Sequence, residues 1–477
     1  MAAISSAFPA AAETLAQALR LEASFDLICR TVQLSDRTAK VYFTDGLCQK
    51  EQADKVVAAL CALPASAFAD DGAALPAALP HLAILTAETV EAFCTAVLSG
   101  AVGCLIEGCS RLLLTDLRLT PTRSIGEPEN DRVLRGPHDG FVEALTVNTG
   151  LVRRKLRDPR LTMELHQIGT ASKTDVVLCF HAGHADPKQL ATLRRKLASI
   201  RPEALTMGQA SLIECLVPKQ WYNPFPKVRY TERPDATAAA VLEGRIVILI
   251  DHSPSAMIIP AGIFDFLQDT NDYYLSPVIG SYLRVARMLI FALTLLLIPV
   301  WYLLIDRPDW IPAWLDFIKI EHPNTVPIAA QLLIVELVID AMRLASNNTP
   351  NALSSSFGVV GTLVLGEFAV TAGWFVPEVV LYMAFVAMTN FTQPSFELGY
   401  AFKLFRMLLI VLTALFHVCG FAAGILLLII EIATTKTVTG QCYLYPLLPC
   451  HPRALLHLLL RFPLPRRERE AAPSAHK

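Results

Sequence analysis

The chain has 477 residues, 53% of them hydrophobic and only 18% charged. Its mean hydropathy of +0.44 is too high for an ordinary soluble multidomain protein, so part of it belongs in lipid. A formal net charge of -2 supplies no basic field for a nucleic acid. The eleven cysteines are scattered with no C-x-x-C pair, which suits a reducing compartment better than a disulfide framework. The first thirty residues lack a basic start, an apolar core and a cleavage site, so the N-terminal half is expected to stay in the cytoplasm.

Residues 1 to about 279 mix charged, turn and apolar segments in globular proportion. They read as two α/β subdomains, 1–120 and 121–279. In the first, 41–43 reads as a strand, 49–60 as a helix, 62–80 as an Ala/Pro linker, and 101–106 with 111–114 as strands joined by a tight turn. In the second, helices are expected at about 141–156 and 187–199, and strands at 162–167, 175–181, 245–250 and 257–259. Topology is not readable from these patterns.

From 280 to 435 long apolar runs dominate, and the expected architecture is an all-α polytopic membrane bundle followed by a basic cytoplasmic tail, 436–477. The run 288–305 holds no charge and is close to the roughly 20 residues that cross a bilayer. Arg284 and Arg287 precede it, which places its start on the cytoplasmic side. Further spans are expected at about 325–345, 357–375 and 404–432. The piece 378–391, between Pro377 and Pro394, is short and reads as re-entrant or interfacial. Four crossings would return Arg453, Arg461, Arg466, Arg467 and Arg469 to the cytoplasm, and five would expel them.

Glu336, Asp340, Arg343 and Asn347 recur at i, i+4, i+7 and i+11, so they share one face of the second span. That polar stripe rises about 16 Å along the helix. Charges at such depth cost about 3 kcal/mol each on insertion scales, so they must face a cavity, a water path or one another. Glu367 adds a carboxylate in a glycine-rich third span. One reading is an ion path lined by carboxylates. The other is a paired lock, with Asp340 and Arg343 as an i, i+3 ion pair and Glu336 protonated or bonded to a neighbouring helix.

His181, His184 and Asp186 are conceivable metal ligands, but a strand-end turn with solvated histidines accounts for them better, and no metal or cofactor is expected. The runs Arg153-Arg154-Lys155 and Arg194-Arg195-Lys196 could meet anionic lipid, though solvated helix faces are the commoner use. Walker, dinucleotide, zincin and serine-hydrolase signatures are missing, so no enzyme is expected.

The stretch 124–158, SIGEPENDRVLRGPHDGFVEALTVNTGLVRRKLRDP, resembles the signature of the A subunits of spore germinant receptors, the GerA family. The resemblance continues in GTASKTDVVLCF at 169–180, in TERPDATAAAVLEGRIVILIDHSPSAMIIP at 231–260 and in DYY at 272–274. Residues 340–353 (DAMRLASNNTPNAL), 376–381 (VPEVVL) and 443–463 (YLYPLLPCHPRALLHLLLRFP) resemble a branch of that family distinct from the receptor subunits themselves. The resemblance implies a multi-pass protein of the bacterial spore inner membrane that assembles with itself into a ring, works with other inner-membrane proteins, binds no nucleic acid and conducts ions during germination. A non-conducting receptor or scaffold, and a secondary transporter of a spore solute, are the competing readings. The signature positions Arg135, Gly136, Pro137, Asp139, Gly140, Phe141, Asn148, Arg153, Arg154, Glu232, Arg233, Pro234 and Asp235 are expected to structure the cytoplasmic region or its interfaces, with Gly136 and Gly140 permitting turn geometry.

Overall fold

The computed structural model describes residues 8–22, 26–45, 47–68, 75, 84–109, 111–119, 123–128, 131–133, 135–217, 222–320, 326–348, 369–390 and 392–461. The chain divides into two compact units, Met1–Ser124 and Ile125–Lys477.

The first unit opens with α1 (Phe8–Leu19) and a hairpin of β1 (Leu27–Leu34) and β2 (Arg37–Thr44). Then come α2 (Lys50–Ala62), β3 (Ile84–Ala87), α3 (Val90–Leu98) and a second hairpin, β4 (Val102–Ile106) with β5 (Leu112–Thr115). The strands form one antiparallel sheet in the order β1-β2-β4-β5-β3. Alternate residues of each strand feed opposite faces: Val41, Phe43, Val102 and Cys104 pack with Val56 and Leu60 of α2, while Tyr42, Leu105 and Leu114 pack with Leu15 of α1 and Phe93 of α3. Gly103 lets α3 close on the sheet, since a Cβ there would lie 2.3 Å from the Phe93 ring.

The second unit repeats this plan. Helix α4 (Leu145–Lys155) precedes a hairpin of β6 (Leu161–Ile168) and β7 (Thr174–His181). Helices α5 (Pro187–Ser199) and α6 (Gln209–Leu216) follow, then β8 (Arg229–Thr231), α7 (Pro234–Leu242) and the hairpin β9 (Ile246–Ile250) with β10 (Ala256–Ile259). The sheet order is β6-β7-β9-β10-β8, the same order as in the first unit when strands are counted from each hairpin's start. The expected strands of this part are present to within a residue or two. The duplication was not legible, because β3 and β8 are four and three residues long, too short for a periodic signal.

A short helix α8 (Asn271–Tyr274) leads into α9 (Pro277–Asp306), followed by α10 (Ile328–Asn348), α11 (Pro377–Asn390), α12 (Phe396–Thr434) and α13 (Pro452–Leu459). Two of these, α9 and α12, are long and apolar enough to cross a membrane. The expected span 357–375 lies mostly outside the described residues. Of segment 378–391, the part to Asn390 belongs to the 14-residue α11, about 21 Å long.

The apolar stretch expected as one tilted span at 404–432 is instead a helix pair. The backbone leaves helical geometry at His417 (φ 52, ψ -132) and doubles back. A Cβ on Gly420 would lie 1.9 Å from the Leu412 carbonyl oxygen, and one on Gly424 would lie 2.6 Å from a Leu409 methyl. Gly420 and Gly424 form a G-x-x-x-G pair, and such small residues allow two helix backbones to close on each other. The arms, 396–416 and 418–434, are about 31 and 26 Å long. At the tip, His417 Nδ1 lies 2.7 Å from Asp306 at the end of α9. At the open end, Phe402 and Phe405 pack on Phe225, Asn223 donates to the Thr435 hydroxyl at 2.6 Å, and the Tyr443 hydroxyl donates to the Pro226 carbonyl at 2.7 Å. Both arms therefore meet the α/β module at the open end of the pair. In a cysteine-free background, Leu409→Cys with Gly424→Cys should cross-link within one chain on oxidation. A continuous helix would hold them about 22 Å apart and give no product.

Candidate functional site: a buried charge cluster between three helices

The apolar helices enclose four charged side chains in mutual contact. Glu336 of α10 is 1% exposed and Arg406 of α12 fully buried. Arg406 donates from Nε to Glu336 Oε1 at 2.7 Å, with a second guanidinium nitrogen 2.6 Å from the same oxygen. Its third nitrogen donates to the Thr294 carbonyl of α9 at 2.8 Å. The Lys403 ammonium lies 3.0 Å from Glu336 Oε2 and 2.5 Å from Asp340 Oδ1, and it also donates to the Glu336 carbonyl at 3.3 Å. Two carboxylates and two cations thus balance, and three helices are tied at one level.

Local sequence explains the alignment. Lys403 and Arg406 are i, i+3 on α12, and Glu336 and Asp340 are i, i+4 on α10, so each pair projects from one helix face. Asp340, a third of whose side chain is exposed, forms the open rim. The guanidinium of Arg343 lies over the rings of Phe396 and Tyr400, at 5.9 and 5.4 Å, while Asp340 is held by Lys403. The Asn347 side chain and Glu367 lie outside the described residues. Lys403 and Arg406 stand at the start of the apolar run 404–432, where charges ordinarily flank a span. The signal that they belong inside was the pair of carboxylates at matching spacing on another apolar segment.

A second polar node joins the α/β module to the start of α9. Arg233, fully buried, pairs with Asp235 at 2.7 Å and donates to the Pro137 carbonyl at 3.1 Å. The Tyr274 hydroxyl also bonds Asp235. Burial alone would raise the Asp235 carboxyl, but these two hydrogen bonds hold it below its ordinary value. Burial, and then Asp235, push the Tyr274 phenol up to about 12. Two residues earlier, buried Asp272 takes both terminal nitrogens of Arg287, at 2.9 and 3.0 Å, and Arg284 at 3.4 Å.

The other signature residues serve this node or the module. Gly136 has φ +111, and a Cβ there would lie 2.5 Å from the Tyr274 ring. Gly140 bonds the Gly126 carbonyl, and Phe141 bonds the Glu232 carbonyl. Asp139 pairs with Lys155 at 2.9 Å. Buried Asn148 closes a ring of two hydrogen bonds on the Val142 backbone, and Pro234 starts α7. Arg153 donates to the Asp158 and Leu161 carbonyls. Arg135 and Arg154 are exposed.

The basic runs find partners within the chain: Arg194 pairs with Glu164, and Lys196 donates to the Leu216 and Val438 carbonyls. His181 is buried against Asp158 and stacked on His184, while Asp186 caps α5. Among the described residues, no three His, Cys, Asp or Glu side chains cluster as a metal site would.

The family model described as Bacillus/Clostridium GerA spore germination protein matches residues 13–472. The chain belongs to the GerA family. It is 36% identical to Stage V sporulation protein AF of Bacillus subtilis (strain 168) over 92% of this chain and 89% of that protein, the branch to which segments 340–353, 376–381 and 443–463 point. It is 30% identical to the uncharacterized membrane protein YfkQ of the same organism, over 77% of this chain and 72% of that one. Among solved structures, the N-terminal domain of the A subunit of the Bacillus megaterium spore germinant receptor GerK3 matches at 21% identity, covering 54% of this chain and 96% of that one, with a TM-score of 0.21. A role connected with spore germination goes with GerA membership.

Two predictions follow from these contacts. Glu336→Gln leaves two buried cations short of a charge and should destabilise the detergent-purified protein by roughly 3–5 kcal/mol. Asp340→Asn, at the exposed rim, should cost about 1 kcal/mol or less. Equal losses in thermal unfolding would refute the cluster as drawn. Gly136→Ala should cost about 1–3 kcal/mol, clearly more than Gly440→Ala, where φ is also positive (+89) but no atom lies within 4 Å of the new Cβ.

Proposed function

We propose that this chain is a multi-pass membrane subunit of the spore germination apparatus, with its α/β modules in the cytoplasm, that assembles with copies of itself into a ring and conducts ions, without enzymatic activity. The observation that carries this reading is the Glu336–Lys403–Arg406–Asp340 cluster. Charges buried among apolar helices are expensive unless the site serves a polar path or its closure. The carboxylates are neutralised within one chain, so they act as a lock on the helices rather than as a bare cation-selective ring. The conducting path then opens where the rim residue Asp340 parts from Lys403. The polar node at Arg233, Asp235, Tyr274 and Asp272 transmits movement of the module to α9. Small inner-membrane proteins and anionic lipid heads are its natural neighbours in that setting.

The completeness of the pairing also favours a second reading, a non-conducting scaffold in which the cluster only sets helix register. Cation flux through liposomes separates the two. The native protein should conduct, and Asp340→Asn, which loosens the rim, should raise its open fraction several-fold. A native protein that stays silent at verified incorporation, together with a silent Asp340→Asn, would leave the scaffold.

A further inference from the structure

The end of α11 and the start of α12 meet inside the helical region, and polar groups there are left without protein partners. The Thr389 hydroxyl lies 3.0 Å from that of Thr294 on α9, and both residues are buried. Thr392 turns back on the Thr389 carbonyl with its N–H and hydroxyl, at 3.1 and 2.8 Å. Gln393 is nine-tenths buried. Its amide lies against Gly399, where a Cβ would come within 2.6 Å of Oε1. Neither amide atom of Gln393, nor the amide oxygen of Asn390, has a hydrogen-bond partner. Pro394 has no N–H to offer, and the Ser395 hydroxyl is used in capping α12 at Leu398.

An unsatisfied buried polar group is costly, and non-helical backbone at membrane depth is tolerated only against protein or a polar cavity. The unpartnered atoms are two amide oxygens and one amide nitrogen, on Asn390, the last residue of a 14-residue helix, and on Gln393 three residues beyond it, where the helix dipole adds partial negative charge. The carboxylates of the charge cluster are already taken, Glu336 by Arg406 and Lys403, and Asp340 by Lys403. A divalent ion, which needs full negative charge to shed its water, is poorly served. A monovalent cation suits neutral oxygens and a helix C-terminus, as at the broken helices of transporters.

We propose that the α11–α12 break binds a monovalent cation through the side-chain amide oxygens of Asn390 and Gln393. The inference rests on the ion-conducting reading and places on it a point where the ion pauses on the α11 side of α12.

The test is thermal unfolding of the full-length protein in detergent, in potassium, sodium or choline chloride at constant ionic strength. Stabilisation should grow with alkali-ion concentration in the manner of a ligand that binds only the folded state, and be missing in choline. Gln393→Leu and Asn390→Leu should abolish it. Gly399→Ala, which keeps both amides but pushes Gln393 aside, should weaken the apparent affinity about tenfold, equivalent to 1.4 kcal/mol. The same rise in choline, or an alkali effect unchanged in all three variants, would overturn the site. Liposome flux keeps the two ideas apart. A protein that conducts without alkali-specific stabilisation has a path but not this site, and one that is stabilised yet silent has the site without the path.

Discussion

The contact on which the helical region depends is the approach of Arg406 to one carboxylate oxygen of Glu336, whose other oxygen faces Lys403. A guanidinium and a carboxylate this deeply buried forfeit several kcal/mol of hydration apiece, and only good geometry with further hydrogen bonds repays it. Here the repayment is spread over three helices: Glu336 comes from α10, Arg406 and Lys403 from α12, and the Thr294 carbonyl from α9. Apolar packing alone tolerates sliding of one helix past another, since one methyl group replaces another at similar energy. A four-charge cluster does not, because a shift of one turn leaves charges unpaired in a dry interior. The cluster therefore sets register, and any movement of α12 against α10 must first open the rim at Asp340.

A comparable logic operates where the α/β module meets α9. Asp272 and Tyr274 are two residues apart on the single turn of α8. Asp272 faces the arginines of α9, and Tyr274 faces Arg233 and Asp235 of the module. That turn is a rigid link with a charged hold on each side, and Gly136 supplies the space the Tyr274 ring occupies. Gly136, Pro137, Arg233, Asp235 and Tyr274, far apart in sequence, meet at one joint. Their contacts connect the α/β module to the helix that follows it.

How much of this was readable beforehand depends on the range of the interaction. Strands β6, β7, β9 and β10 and helix α5 carry their periodicity locally and were placed within a residue or two. The stripe of Glu336, Asp340 and Arg343 was legible as one helix face for the same reason. What sat opposite was not legible, because pairing between α10 and α12 spans about seventy positions of sequence, and hydrophobic runs carry no register. The apolar run begins after Lys403, yet α12 starts at Phe396 and carries Lys403 a full two turns inside. The fold of 404–432 into two arms was hidden because His417 is a single polar residue in an unbroken apolar stretch. The clue in that stretch was Gly420 with Gly424, a spacing that marks close helix contact rather than a long tilted span.

That helix pair also reshapes the topology. The module holds the first arm through Phe225 and the end of the second through Asn223 and Thr435, so on the membrane reading α12 goes out and comes back. The chain that follows stays on the module side: Arg461, just beyond α13, donates its backbone N–H to the Ser281 hydroxyl and its guanidinium to the Tyr273 carbonyl. The choice between four and five crossings assumed that the last apolar stretch passes once. With an outward and a return arm it contributes an even number, so on that reading the parity rests on the segments before it, the 14 residues of α11 included. Arg461 is held at the base of α9 by hydrogen bonds that charge counting along the sequence could not have supplied.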